Sequence, residues 1–184
     1  MKSNDTVTNQ NSPREVSGSP SPSQPDTANA AVPPKTKPKR PVTVRLTPAL
    51  LEGCHEIEKL CFHTPWSVES LKLLTGNIGT GYAVLDSRGN VAAYGGMLYT
   101  VDEGQITNIG VREEYRRLGF GRAITRALLN DAWQHKLDRV TLEVRASNTA
   151  ALALYRSLGF TEVGKRPHFY SFPDETAILL SVSG

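Results

Sequence analysis

Apolar and polar positions recur regularly only from residue 42 onward. Residues 42–46 alternate as a short strand, and Thr47-Pro48 reads as a helix start, with threonine as N-cap and proline at the first helical position. The helix that follows sets Leu50, Cys54, Ile57 and Cys61 on one side and Glu52, Glu56 and Lys59 on the other, the spacing of a helix laid against a core. His63-Thr64-Pro65-Trp66-Ser67 breaks it, Ser67 caps a second short helix, and residues 76–81 end that one. Residues 81–85 and 91–101 read as strands joined by a hairpin loop, and residues 105–111 follow to complete an antiparallel meander. Gly110 has no propensity reason to interrupt the last of these strands, and predicts a bulge or the close approach of a ligand to the backbone. A longer helix then turns Phe120, Ile124, Ala127, Leu128 and Ala132 toward the core, leaving Arg122, Arg126 and Asn130 outward. Val140, Leu142 and Val144 alternate with Thr141, Glu143 and Arg145, so Glu143 projects from the face opposite the apolar one. Asn148 opens a final helix that closes with a glycine cap at Leu158-Gly159-Phe160, and residues 160–165 and 176–182 read as strands. The order of elements predicts an α/β fold, a mixed and mostly antiparallel sheet with helices on both faces.

The first 40 residues follow another pattern. Nine of the twelve prolines lie at or before Pro48, and residues 1–40 contain no aromatic residue and few apolar ones. Such a segment cannot bury enough surface to offset its ordering entropy, so it is expected to be a disordered tail, with one folded domain over residues 41–184. The tail holds six basic and three acidic residues, which accounts for the whole net charge of +3 and leaves fifteen of each sign in the folded part. Only residues 35–40 form a basic run, which could contact ribosomal RNA through phosphates or simply be solvated. The N-terminus has no apolar secretory core, and no apolar run reaches the ~18 residues of a membrane span, so a cytoplasmic protein with no membrane partner is expected. Cys54 and Cys61 lie on one helix about 10 Å apart, beyond disulfide reach, and are expected to be reduced. No His, Cys, Asp and Glu set has metal-ligand spacing, so no metal is expected.

Candidate chemistry concentrates in Arg116-Arg117-Leu118-Gly119-Phe120-Gly121-Arg122-Ala123, between an apolar strand and an amphipathic helix. Unpaired backbone N–H groups converge at a helix N-terminus, the helix dipole adds partial positive charge, and glycine admits a pyrophosphate close to the backbone. A dinucleotide fingerprint requires a third glycine where Ile124 stands and a strand immediately before the first, whereas residues 112–118 intervene. A P-loop requires Gly-Lys-Ser or Gly-Lys-Thr, which does not occur.

The remaining pattern, Arg-x-x-Gly-x-Gly between strand and helix, is followed by Leu142-Glu143-Val144-Arg145-Ala146-Ser147-Asn148 and by Ala153-Leu154-Tyr155-Arg156-Ser157-Leu158-Gly159-Phe160. Together these resemble the acetyl-coenzyme A core of the GNAT acetyltransferases. Within that superfamily the resemblance is nearest to the RimI-type enzymes, which acetylate the N-terminal alanine of a ribosomal small-subunit protein. It runs from about residue 43 to residue 182 and is densest over residues 105–160. The resemblance implies a GNAT fold with a splayed strand pair that receives acetyl-CoA. It assigns Ile109, Gly110 and Val111 to the pantetheine arm, residues 116–122 (Arg116, Arg117, Leu118, Gly119, Phe120, Gly121 and Arg122) to the pyrophosphate, and Asn148 to a further coenzyme contact. It makes Glu143 the base and Tyr155 the acid toward the leaving thiolate. Trp66, in its Pro-Trp-Ser triplet, and Phe169 with Tyr170 would border the acceptor peptide; Phe169 stands where the family has the first of two tyrosines.

The residues admit other readings. Glu143 could be a solvent-facing strand glutamate, Tyr155 a half-buried helix residue, Asn148 only an N-cap, and Trp66 a lid on the core. A phenol near ~10 is also a poorer acid than a thiol near ~8.5, which favours Tyr155 as a hydrogen-bond donor over a proton donor. Acetylation of a protein N-terminus is the leading expectation. Acetylation of a lysine or a small amine, and acetyl-CoA binding without catalysis, are the alternatives.

Overall fold

The computed structural model describes residues 41–184. The expected disorder of residues 1–40 and the basic run at 35–40 fall outside the described residues.

The described chain contains β1 (Thr43–Arg45), α1 (Leu51–Cys61), α2 (Val68–Leu71), β2 (Gly79–Leu85), β3 (Val91–Tyr99), β4 (Glu103–Val111), α3 (Phe120–Gln134), β5 (Arg139–Arg145), α4 (Thr149–Arg156), β6 (Thr161–Ser171) and β7 (Asp174–Ser183). The strands form one seven-stranded sheet in the order β1-β2-β3-β4-β5-β7-β6, antiparallel except between β4 and β5. Two cores result, one per face. Leu51, Cys54, Ile57, Leu71 and Leu74 pack on Ala83, Val91 and Tyr94 on the first face. On the second, Phe120, Ile124 and Leu128 of α3 and Leu152 and Tyr155 of α4 pack on Ile106, Leu142 and Val144.

Several boundaries differ from the sequence expectation for identifiable reasons. Thr47 has the extended backbone of an N-cap, but its side chain makes no capping bond, and Pro48–Leu50 form a 3-10 turn ahead of α1. Ser67 does cap α2, accepting from the Ser70 amide at 3.1 Å. The segment expected to be a loop after residue 165 instead continues β6 into a hairpin with β7, with a register shift between Arg166 and Tyr170. The expected bulge is present in β4 but not at Gly110. Gly96 pairs with Asn108 and Met97 with Ile106, so Thr107 is the extra residue. Gly110 pairs regularly with Tyr94; a Cβ there would lie 2.5 Å from Ile57 Cγ2, so the glycine lets α1 settle on the sheet. Both cysteines are free, with Cys54 buried and Cys61 half-buried.

A polar knot lies where α3 meets β2 and β3. Asp131, buried, accepts from Tyr82 Oη at 2.8 Å and from Tyr99 Oη, and pairs with Arg45 at 3.3 Å and His135 at 3.2 Å. Burial alone would raise its pKa, yet the two tyrosine bonds with the Arg45 and His135 charges outweigh it and hold the carboxyl below its ordinary 3.8. A depressed carboxylate stabilises the fold above its unfolded pKa and loses that contribution as pH falls through the folded value. Asp131→Asn therefore lowers stability at neutral pH by about 1–3 kcal/mol. Thermal melts of both proteins should converge only below about pH 3.8.

Candidate active site

The site is built where two parallel strands part. The β4–β5 ladder runs from Glu103 paired with Arg139 to Ile106 paired with Leu142 and stops there. Residues 107–111 of β4 and 143–145 of β5 continue without each other. Arg112 N donates to Ala92 O on β3, so alternation turns the amides and carbonyls of Ile109 and Val111 away from β3, into the gap. Gly110, grouped with them by the resemblance, presents its backbone to Tyr94 of β3.

One end of the gap meets the N-terminus of α3. Arg117 has φ of 64°, and Gly119, the N-cap, has φ of 86°. The first turn of α3 has neither a capping side chain nor an acidic residue. Its leading amides are thus unclaimed donors with the helix dipole behind them, an arrangement suited to an anion. Arg116 and Arg117 are exposed beside this turn, with Arg116 Nε 3.2 Å from Val111 O, and half-buried Arg122 reaches across to Oγ of Ser157, the C-cap of α4, at 2.6 Å. Phe120 is buried and stacks on Tyr115 at 5.5 Å, fixing the start of the helix, while Leu118 packs against the same core. A Cβ on Gly121 would meet only Leu154 Cδ2 at 3.5 Å and Val111 Cγ2 at 3.8 Å, ordinary contacts, so packing within the chain does not require glycine there. Room is left outside for something else. A cavity of about 680 Å³ lies along the flank of α3, lined by Gly119, Arg122, Arg126, Asp131 and Thr43 among others. It shares Gly119 and Arg122 of the turn but not Glu143 or Tyr155, so this cavity and the candidate chemistry are adjacent regions.

Glu143 alternates out of the core formed by Val140, Leu142 and Val144, onto the sheet face that carries α1. Its side chain is only 10% exposed, with Oε1 3.2 Å from Arg166 Nη1 of β6 and Oε2 accepting from Gln105 Nε2 at 3.2 Å. Tyr155 sits in the opposite-face core, its ring edge-on to Phe160 at 5.7 Å. Burial, and then the neighbouring Tyr170, push its hydroxyl up to about 12. Tyr170 connects the two sides electrostatically. Burial raises its pKa against the pull of Arg145, and Glu143 and Glu175 add to the rise. Tyr170 is thus close enough to feel both the carboxylate and the phenol, which lie toward opposite faces of the sheet.

The residues expected from the sequence to border an acceptor lie on two further elements, Trp66 between α1 and α2 and Phe169 with Tyr170 on β6. Trp66, half-buried, packs against the α1–α2 core with part of its surface open. Phe169 is exposed and meets Tyr170 edge-on at 5.1 Å. Arg145 anchors this hairpin: its guanidinium lies 4.1 Å from the Tyr170 ring centroid and donates to Phe172 O, Pro173 O and Glu175 Oε2 at 2.9, 3.2 and 3.1 Å. Asn148, exposed, accepts from the Ala151 amide at 3.1 Å and so caps α4. That bond already accounts for the residue in the free protein. Sequence reasoning missed Gln105, Arg145 and Arg166 as partners, because cross-strand register alone joins them. It also missed Glu58, although Glu58 falls four residues after Cys54 on the apolar side of α1.

A parted parallel strand pair beside an uncapped helix N-terminus defines an acyl-coenzyme A transferase architecture. The acetyltransferase (GNAT) family model matches residues 51–160, and the chain belongs to that family. Ribosomal protein bS18-alanine N-acetyltransferase of Escherichia coli K12 is 36% identical over 136 residues, 72% of this chain and 90% of that protein. N-alpha-acetyltransferase RimI of Mycobacterium tuberculosis is 36% identical over 137 residues, 71% and 85% of the two chains. The crystal structure of the Escherichia coli ribosomal-protein-S18-alanine N-acetyltransferase superposes with a TM-score of 0.70 at 31% identity, covering 77% of this chain and 92% of that one. The protein is therefore an acetyl-CoA-dependent N-acetyltransferase. Among the described residues no helix is long and apolar enough to cross a membrane, and no cluster of residues could hold a metal.

Proposed function

We propose that this protein acetylates the N-terminal α-amino group of a protein, and that the acceptor is the N-terminal alanine of a ribosomal small-subunit protein. The observation that carries this reading is Glu143, a little-exposed carboxylate at the parting of β4 and β5, together with relatives named for that reaction. A cytoplasmic location follows from such an acceptor.

Acetyl-CoA supplies a thioester acyl group and a thiolate leaving group. The turn 116–122 would hold the coenzyme's pyrophosphate, and the stretch of β4 unpaired with β5 at Ile109 and Val111 would receive its pantetheine arm. Asn148, already a cap, contributes at most its remaining amide donors. Glu143 takes the proton of the acceptor ammonium, directly or through one water. The neutral nitrogen then attacks the thioester carbon, the C–N bond forms, the C–S bond breaks with the electron pair leaving on sulfur, and the surplus proton of the attacking nitrogen passes to solvent water. An α-amine, with pKa near ~8, costs about 3 kcal/mol less to deprotonate at neutral pH than a lysine near ~10.4, so one carboxylate is an adequate base. Trp66, Phe169 and Tyr170 form the walls around the acceptor's first residues.

Tyr155 donates a hydrogen bond to the developing thiolate. With its hydroxyl at about 12, complete proton transfer to a thiolate of ordinary basicity would run uphill by about 5 kcal/mol. Tyr155→Phe should therefore lower kcat only about 10- to 150-fold, the worth of one hydrogen bond to a charged group. A pH–rate profile with a Tyr155-dependent limb below pH 10 would show proton transfer instead. Removal of residues 1–40 should leave acetyl-CoA affinity and the melting temperature unchanged, with any loss confined to a large acceptor. Mass spectrometry of protein N-termini in cells with and without the protein tests the acceptor. Loss of acetylation on one Ala-initiated ribosomal protein is expected; unchanged N-termini with loss at lysines would favour the lysine reading.

A further inference from the structure

Glu58 is the one carboxylate wholly buried under α1 among the described residues, and nothing in the reaction above uses it. Three donors from three different places converge on it. Oε1 accepts from Tyr94 Oη on β3 and from Asn108 Nδ2 on β4 at 2.8 Å, and Oε2 accepts from the Trp66 amide at 2.7 Å. These places are not arbitrary. Asn108 immediately follows the extra residue of β4, two positions beyond the last pair of the β4–β5 ladder, where the gap opens. Trp66 lies in the loop between α1 and α2, on the same sheet face as Glu143, and its carbonyl is also tied, at 2.8 Å, to His55 Nδ1 of α1. The Asn108 amide is thus oriented by Glu58, with its opposite atom, Oδ1, buried and meeting no partner in the chain.

We propose that Glu58 is a positioning residue for acetyl transfer: its buried carboxylate ties the acceptor loop at Trp66 to β4 at the opening of the gap, setting the distance between acceptor and acyl donor. The proposal rests on the assignment of Trp66 to the acceptor wall. A carboxylate suits this role because it offers only acceptors, and all three groups it meets are donors. Glutamine in its place would turn an NH₂ toward one of them. The Trp66 amide is the one best able to move away, because it lies in a loop, whereas Tyr94 and Asn108 are held in paired strands. The acceptor loop then shifts while the coenzyme edge stays.

The test is steady-state kinetics of full-length Glu58→Gln, Trp66→Ala and the double variant on an Ala-initiated peptide, with acetyl-CoA affinity measured by calorimetry. Asp131→Asn, destabilised on the other face, is the control for a general loss of stability. Glu58→Gln is expected to raise the peptide KM about tenfold, with acetyl-CoA affinity within twofold of wild type, and Asp131→Asn to leave the peptide KM unchanged. In the Trp66→Ala background the Glu58→Gln factor should fall to about one, because the indole that the positioned loop presents to the acceptor is already gone, although the backbone amide remains. If Glu58→Gln does not fold, Asn108→Ser cuts the strand end of the same link and should give the same KM rise and the same non-additivity. A factor that persists undiminished beside Trp66→Ala, or a KM rise equalled by Asp131→Asn, overturns the proposal. An unchanged KM in Trp66→Ala overturns the acceptor-wall assignment itself, so the two failures are distinguishable.

Discussion

Glu143→Gln is expected to lower kcat on an Ala-initiated peptide by about 10²- to 10⁴-fold while leaving acetyl-CoA affinity within twofold of wild type. Glutamine keeps the length of the side chain and one acceptor, so what is removed is proton acceptance and the ion pair with Arg166 at 3.2 Å. These two losses differ in size. An ion pair whose arginine is 55% exposed is worth at most about 1 kcal/mol, a factor of roughly five, and cannot account for two orders of magnitude. Arg166→Gln is the control, and should change kcat by less than that factor. The Glu143→Gln defect should also shrink as pH rises toward about 9, because a growing fraction of the peptide's α-amine is then already neutral. A defect that stays constant from pH 6 to about 9 would mean that Glu143 orients the acceptor and does not take its proton.

Replacing Gly119 and Gly121 together by valine should weaken acetyl-CoA binding by at least about a hundredfold, the loss of one or two charge-assisted bonds from backbone amides. The two glycines fail for different reasons. Gly119 holds a φ of 86°, where a β-branched residue is strained by roughly 1–2 kcal/mol or more, so its substitution distorts the turn. Gly121 is helical, and a Cβ there meets nothing closer than 3.5 Å, so its substitution blocks only the approach of the ligand. Gly121→Ala separates the effects: it should raise the melting temperature slightly, since glycine costs a helix about 0.5–1 kcal/mol relative to alanine, and still weaken the coenzyme's binding. Calorimetry and thermal melts on the same samples check both. Unchanged affinity in the folded double variant would remove the pyrophosphate from this turn.

The sequence made legible the features that arise from periodicity along one element. The apolar repeat of α3, the alternation that puts Glu143 outside the core of Val140, Leu142 and Val144, and the Ser67 cap all depend on neighbours within a few residues. What depended on register between distant strands was not legible. Gly110 looked like a bulge because glycine weakens a strand, but the true cause is Ile57, fifty-three positions earlier and pressed against it from α1. The β6–β7 hairpin read as a loop, because Pro167 and His168, whose φ is 54°, interrupt the alternation and leave a register shift that only the partner strand makes visible. Glu58 is an intermediate case. Its place on the apolar side of α1 was legible in the helical spacing, but its three donors come from β3, β4 and the α1–α2 loop, and no local pattern predicts such a convergence.

The central claim is that the acceptor is an α-amine. It is tested most directly by offering the purified protein and acetyl-CoA a peptide that begins with alanine and contains an internal lysine, beside the same peptide with its N-terminus blocked, and locating the acetyl group by fragmentation mass spectrometry. The expected result is one acetyl group on the alanine nitrogen and no product from the blocked peptide. Acetylation of the lysine in both peptides at equal rates would contradict the account.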